Sequence, residues 1–198
     1  MKSIEVIISS FKVLFDNIVA FFLAFLIWIF LGFFIIPIPP LLFGLYYMAN
    51  KAIKGDKPSW KDVFKGFDYL VISWALVILG FIICGILIGI FLIIAYSDIG
   101  GFFIILISFL VTIIIVGIMG YVSNYAIPVI IEKNIGLFPA IKESISLFRR
   151  KFITTITVSV LIIIIQFALV MTVIGIVVAY VIPVVIPAIV FTKLAIEE

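Results

Sequence analysis

Few side chains in this chain of 198 residues could do chemistry, and the missing types exclude most mechanisms at once. There is no histidine and a single cysteine, Cys84, set in an apolar run. That removes a histidine metal site, a Ser-His-Asp triad, a Cys-His dyad and an intrachain disulfide. No apolar segment pairs a nucleophile with a base or clusters metal ligands, so neither catalysis nor a cofactor is expected. Asp16, Asp68 and Glu132 stand at the ends of apolar segments. They could bind a cation or take up protons; the plainer reading pairs them with Lys12, Lys65 and Lys133. No ionisable group except Tyr and Cys lies inside an apolar segment, whereas ion-driven carriers usually place one there. Gln166 could line a polar pathway or make one interhelical hydrogen bond, worth on the order of 1 kcal/mol.

The richest pattern is 136–152, GLFPAIKESISLFRRKF. Ile141, Ile145, Phe148 and Phe152 fall at offsets 0, 4, 7 and 11, one face of an α-helix. Lys142, Glu143, Arg149 and Arg150 lie off that face, and Arg149-Arg150-Lys151 closes the run. Within 51–68, otherwise a polar loop with five lysines, Trp60, Phe64 and Phe67, followed by Val71, repeat the spacing. Ile4, Ile8, Phe11 and Phe15 repeat it at the N-terminus. Such helices read as lying on a membrane surface. Trp60, Phe64, Phe67, Lys142, Phe148, Arg149, Arg150 and Lys151 suit contact with anionic lipid or a partner protein. Each basic residue near an anionic surface is worth about 1 kcal/mol. A positive-inside bias explains the same lysines and arginines without recognition. Nothing points to nucleic acid.

The elements that must position these residues are membrane segments. The chain is 67% hydrophobic and 12% charged, against roughly 45–50% and about 25% in soluble domains. Charged residues are absent from 18–50, 69–97, 99–131 and 153–192. A spanning helix needs about 20 residues. Pro37, Pro39 and Pro40 break the first stretch. A helix is expected to end near Ile36 and a short one to run from about Leu41 to Ala52, with a re-entrant segment as the alternative. Ser97 to Gly101 reads as a tight turn. The last stretch would be about 60 Å as one helix, twice the hydrocarbon core of about 30 Å, so it must turn back, near Thr172 to Gly175. The N-terminal segment is expected to be retained, since its apolar run exceeds a signal peptide's. Gly80-x-x-x-Cys84 and Gly85-x-x-x-Gly89 permit close helix approach, within the chain or in a dimer. Pro128, and the stripe Gly175, Ala179, Pro183 and Pro187, suggest kinks that could pack helices or border a pathway.

A shift of 81 residues superimposes Gly55, Pro58, Trp60, Lys61, Asp62, Phe64 and Phe67 on Gly136, Pro139, Ile141, Lys142, Glu143, Ile145 and Phe148. The N-terminus gives a weaker third copy, and Ile127-Pro128 is echoed by Ile186-Pro187. The simplest account is three units within one domain of 1–198, about 1–53, 54–134 and 135–198. The expected fold is an all-α integral membrane protein with six membrane segments, as three hairpins each preceded by a cytoplasmic amphipathic helix. In this arrangement all 13 Lys and Arg share one side and the far turns hold only Asp98. Both termini are then expected in the cytoplasm, the chain crossing the cell membrane several times.

Gly44, then Gly55-Asp56-x-Pro58-Ser59-Trp60-x-Asp62-x-Phe64-x-Gly66-Phe67, and Ile127-Pro128-x-Ile130 through Ala140-Ile141-Lys142-Glu143-Ser144, carry a resemblance. The chain resembles uncharacterised polytopic membrane proteins of archaea and bacteria, related to the membrane domain beside some glycerophosphodiester phosphodiesterases. The resemblance implies a multi-helix membrane domain without established activity. The catalytic domain of some relatives uses histidines and acidic metal ligands on a barrel, and a chain without histidine cannot share that activity. Richness in Ile, Phe and Lys suits a thermophilic archaeal source. The expected function is a non-enzymatic membrane scaffold or assembly factor that contacts lipids or partner proteins at the cytoplasmic face. A channel or transporter for a small or apolar solute is the alternative, with a pathway near Gln166.

Overall fold

The apolar stretches fold as helices, and polar corners, prolines and glycines decide where each stops. The computed structural model describes residues 3–96, 101–150, 152–153, 156–157, 159–161, 164 and 181–191. Among them there is no strand, and the protein is all-helical. Helix α1 (Ser3–Asp16) meets α2 (Ile18–Gly32) at Asn17, where the chain bends by 82°. The Asn17 amide donates to the Val13 carbonyl at 2.9 Å and closes the end of α1.

Helix α3 (Ile38–Ile53) starts where prolines allow it. Pro39 and Pro40 stand in its first turn, where a missing N–H costs no hydrogen bond. The expected break and short helix are therefore present, with α2 ending four residues earlier than expected, at Gly32. The polar loop expected over 51–68 is shorter. Lys51 to Ile53 belong to α3, and a 3-10 helix occupies Trp60–Tyr69. Ser59 caps it: its hydroxyl accepts from Lys61 N–H at 3.4 Å, while its own N–H donates to Asp62 Oδ2 at 2.8 Å. This reciprocal cap fixes the entry of the helix. The 3-10 helix passes directly into α4 (Leu70–Tyr96).

Helix α5 (Phe102–Lys133) returns and ends at Asn134, a left-handed residue with φ 49°. Helix α6 (Leu137–Arg150) follows, and α7 (Val181–Phe191) packs into the core. Of the expected turn at 97–101, only Gly101, the N-cap of α5, is described; the rest of it and the expected turn at 172–175 lie outside the described residues.

Burial divides the molecule in two. One region, the base, gathers α3, the inner faces of α1, α2, the 3-10 helix and α6, the last two turns of α5, and α7. Leu41, Phe43, Tyr46, Met48, Tyr125 and Ile130 are sealed there. Its tightest contact is backbone on backbone. A methyl added at Gly44 would stand 1.7 Å from the Val63 carbonyl oxygen, and one added at Gly66 would stand 1.8 Å from that of Pro40. Only glycine lets α3 and the 3-10 helix come so close. The other region is the hairpin of α4 with the first two-thirds of α5. Among the described residues of α4 only Ser73 is buried. Phe91 and Phe109 meet between the arms, 6.1 Å apart.

Continuous helix over 60–94 is long and apolar enough to cross a membrane; the bent pair 8–16 and 18–32 would make a second if counted as one span. Six spans are not supported among the described residues, and most of 154–180 lies outside them. In the first charge-free stretch the reason is length: α2 and α3 have 15 and 16 residues, each about 22–24 Å, short of a hydrocarbon core of about 30 Å. A charge-free run long enough for nearly two passes is split by its prolines into two pieces, each too short for one.

Candidate functional site

The surface to be explained is an apolar one. Amphipathic helices of a protein dissolved in water turn the apolar stripe inward. Here the stripe of the 3-10 helix turns outward whole, and those of α1 and α6 turn outward in part, since Phe11 and Ile141 pack against the core. In α1, Ile8 and Phe15 are exposed while Ser10 and Leu14 face the core. In the 3-10 helix, Trp60, Phe64 and Phe67 are exposed, as is Val71 just beyond, while Val63 and Gly66 face the core. In α6, Ala140 and Ser144 are fully buried, and Ile145 and Phe138 are exposed, the latter at 78%. Ser144 can be buried because its hydroxyl donates to the Ala140 carbonyl at 2.8 Å.

Charges border these stripes. Lys61 lies over the Trp60 ring, 5.5 Å from its centroid. Phe64 and Phe67 stack at 6.3 Å, with Phe64 closing a shallow apolar groove against Leu26, Ile27, Phe30 and Leu31. On α6 a groove of about 480 Å³ runs between Phe138, Ile141 and Ile145 on one side and Lys142 and Arg149 on the other. Arg149 and Arg150 close the last turn of α6, where positive charge suits the helix dipole. Phe148 meets Phe152 edge-on at 5.0 Å.

At this charged end the helices are tied together. Lys51 Nζ is 2.9 Å from Asp62 Oδ2, joining α3 to the 3-10 helix. Lys54 is 2.9 Å from Glu132 Oε1, and Asn50 donates to the other oxygen, joining α3 to α5. Lys133 pairs with Glu143 of α6. The interfacial pairing expected for Glu132 is thus present with Lys54, not with Lys133. Partial burial would raise the Asp62 carboxyl, but the Ser59 N–H and the Lys51 ammonium outweigh it and hold it below its ordinary value. Burial likewise opposes Glu132, where Lys54 and Asn50 prevail and lower it. Lys51 is raised, chiefly by its hydrogen bond to Asp62.

The residues expected to pack or border a pathway separate. Gly85 and Gly89 stand in the open, with nothing within 4 Å of an added methyl. Within the chain, close backbone approach falls at Gly44 and Gly66. Pro128 and Pro187 are buried in the base beside Ile127 and Ile186. The Pro183 carbonyl accepts from the Tyr46 hydroxyl at 3.4 Å, which also reaches Asn124 Oδ1 at 3.3 Å. Gln166, Lys151, Gly175, Ala179 and Asp98 lie outside the described residues. No cluster of metal-ligating side chains occurs among the described residues.

Sequence reasoning missed Trp74, whose indole donates to the Ile36 carbonyl at 3.1 Å, and Tyr46. Neither carries a spacing signal, because each acts on a partner distant in the chain. No family model matches the chain, and neither does any curated protein or solved structure.

Proposed function

We propose that the chain is a non-enzymatic, multi-pass integral membrane protein that acts as a scaffold or assembly factor, holding lipids or a partner protein against its cytoplasmic face. The observation that carries this reading is the exposed α4–α5 hairpin, together with the outward Trp60, Phe64, Phe67 and Val71 stripe and the exposed Ile8, Phe15, Ile145 and Phe152 of the other two. An apolar surface of this extent marks an interaction with membrane or protein. A helix apolar all round, like α4, suits a span. The 32-residue α5 carries charge only at Glu132 and Lys133, so it serves as the return arm.

The 82° corner at Asn17 suits a surface helix entering a membrane hairpin. Lysines and arginines of the 3-10 helix, the α5–α6 connection and α6 gather at the base. By the positive-inside rule the base is cytoplasmic, with both termini on that side. Division into three units belongs to the same proposal. Under the repeat alignment Ser10, Gly66 and Leu147 are equivalent, and each packs toward the core. The likeness to the membrane domain beside glycerophosphodiester phosphodiesterases agrees with a membrane role and adds no activity. A channel or transporter is the alternative; burial of Pro128 and Pro187 in the base gives it less support.

Native mass spectrometry after extraction from the membrane tests the scaffold. A bound anionic lipid or partner protein is expected, lost when Arg149, Arg150 and Lys151 are all changed to Gln. A protein that emerges alone, unaffected by the substitutions, would sink the scaffold and turn attention to solute flux.

A further inference from the structure

The turn between α2 and α3 is built unlike a turn in water. Its residues are Phe33, Phe34, Ile35, Ile36 and Pro37, and the first four are between 65% and 83% exposed. Turns at a protein surface favour Gly, Asn, Asp and Ser, whose polar groups or conformational freedom serve the bend. This one has no polar side chain, and Ile35 holds the left-handed conformation, φ 55°, uncommon for a β-branched residue.

Its backbone N–H groups are nevertheless all provided for. Phe33 and Phe34 donate to the Leu31 carbonyl, Ile35 to Gly32 at 3.1 Å, and Ile36 to Phe34. Ile38 donates to Ile35 at 3.0 Å and Leu41 to Pro37 at 2.9 Å. Pro37, Pro39 and Pro40 have no N–H to satisfy. From Phe33 to Leu41 every N–H is therefore bonded or absent. The Ile36 carbonyl takes the Trp74 indole N–H at 3.1 Å. Water makes such closure unnecessary; hydrocarbon demands it, because each unsatisfied backbone group there costs several kcal/mol.

The same bond fixes how deep the turn goes. Trp74 lies in the second turn of α4, which ends at Tyr96. The residues between them rise about 33 Å, roughly a full hydrocarbon thickness. A hairpin that crossed the membrane beside α4 would bring its turn to the far end, near Tyr96. This turn stops near the base end.

We propose that α2 and α3 form a re-entrant hairpin confined to the leaflet next to the base, with Phe33 to Ile36 in contact with lipid acyl chains and the Trp74 indole pinning the turn. This rests on the membrane reading above and refines it: two of the expected six segments enter and leave on the same side.

The test uses the full chain with Cys84→Ala in sealed vesicles of phosphatidylcholine and phosphatidylglycerol. Single cysteines replace Phe34 and, as a control on α4, Ile86. Each is spin-labelled for collision measurements with oxygen and a water-soluble nickel complex, and separately challenged with an impermeant maleimide from each side. Both labels should favour oxygen over nickel, and the maleimide should reach neither from either side. Adding Trp74→Phe should raise nickel access at residue 34 at least twofold and leave residue 86 unchanged.

Maleimide labelling of residue 34 from the face opposite the base means the hairpin spans, and overturns the proposal. Nickel access at 34 with protection at 86 puts the turn in water and also overturns it. Disulfide-linked dimers through residue 34 mean that a second copy, not lipid, covers the turn. Nickel access at both positions overturns the membrane reading itself, an outcome distinct from the others.

Discussion

The base and the α4–α5 hairpin are both rich in large apolar residues and obey opposite packing rules. In the base, the side chains interlock and two helices touch backbone to backbone at Gly44 and Gly66. In the hairpin, Gly80, Gly85 and Gly89 touch nothing within 4 Å, and large side chains such as Phe81 and Ile93 point away from the protein. The base also carries the ion pairs Lys51–Asp62, Lys54–Glu132 and Lys133–Glu143. Hydroxyls in the hairpin satisfy themselves along their own helix, Thr112 donating to the Ser108 carbonyl and Ser73 to Leu70, both at 2.8 Å. Charge separates the two regions, since α4 and the first two-thirds of α5 carry none. Burial separates them as well: side chains of the base meet protein, and those of the hairpin face outward.

The sharpest way to break this comparison is to make one substitution in both regions. Gly44→Ala or Gly66→Ala forces a methyl into a carbonyl that cannot withdraw without parting the helices. The expected cost is about 3 kcal/mol or more, the upper end of the overpacking range. Gly85→Ala and Gly89→Ala should stay within about 0.5 kcal/mol. Thermal unfolding of detergent-solubilised protein reads both, and equal effects would erase the distinction.

Phe81→Asp asks what surrounds the hairpin. On a surface facing water the change is harmless. At the middle of a spanning helix an aspartate costs about 2.5–3.5 kcal/mol. A marked fall in the membrane-inserted fraction, measured by carbonate extraction, is expected; unchanged insertion would detach α4 from the bilayer.

Acid should loosen the base alone. Asp62 and Glu132 sit below their ordinary values of 3.8 and 4.5. A carboxylate lowered by folding contributes stability above its unfolded value, and loses it as pH falls through the lower folded value. Amide protection factors, taken against the intrinsic exchange rate at each pH, should therefore fall in α3 and the 3-10 helix below about pH 4, while those of α4 beyond Trp74, with no carboxylate, should not change. Asp62→Asn with Glu132→Gln should remove the pH dependence, and its persistence would assign the effect elsewhere.

Much of this architecture was legible in the chain. The corner at Asn17, the break at Pro37 and the helix over 137–150 follow from polarity, missing N–H groups and apolar spacing. The three stripes were legible as stripes, and only the structure shows that the 3-10 helix turns its stripe outward while α1 and α6 lay Phe11 and Ile141 against the core, since spacing defines a face without saying what it meets. The span count was not legible, because a charge-free run gives a number of residues and not the lengths of the helices it divides into. Gly44 and Gly66 lie 22 positions apart, with no periodic relation, and Gly85-x-x-x-Gly89 has the packing spacing without the contact. Trp74 escaped for a related reason: a donor for a turn 38 positions earlier leaves no local mark.

The central claim is that the hairpin crosses a bilayer and the base remains on one side. Labelling by an impermeant maleimide in intact cells, with Cys84→Ala as background, tests it with Tyr96→Cys at the hairpin's far end and Lys57→Cys at the base. Labelling of residue 96 from outside, and of residue 57 only after permeabilisation, is the predicted result. Labelling of both from the same side would contradict it.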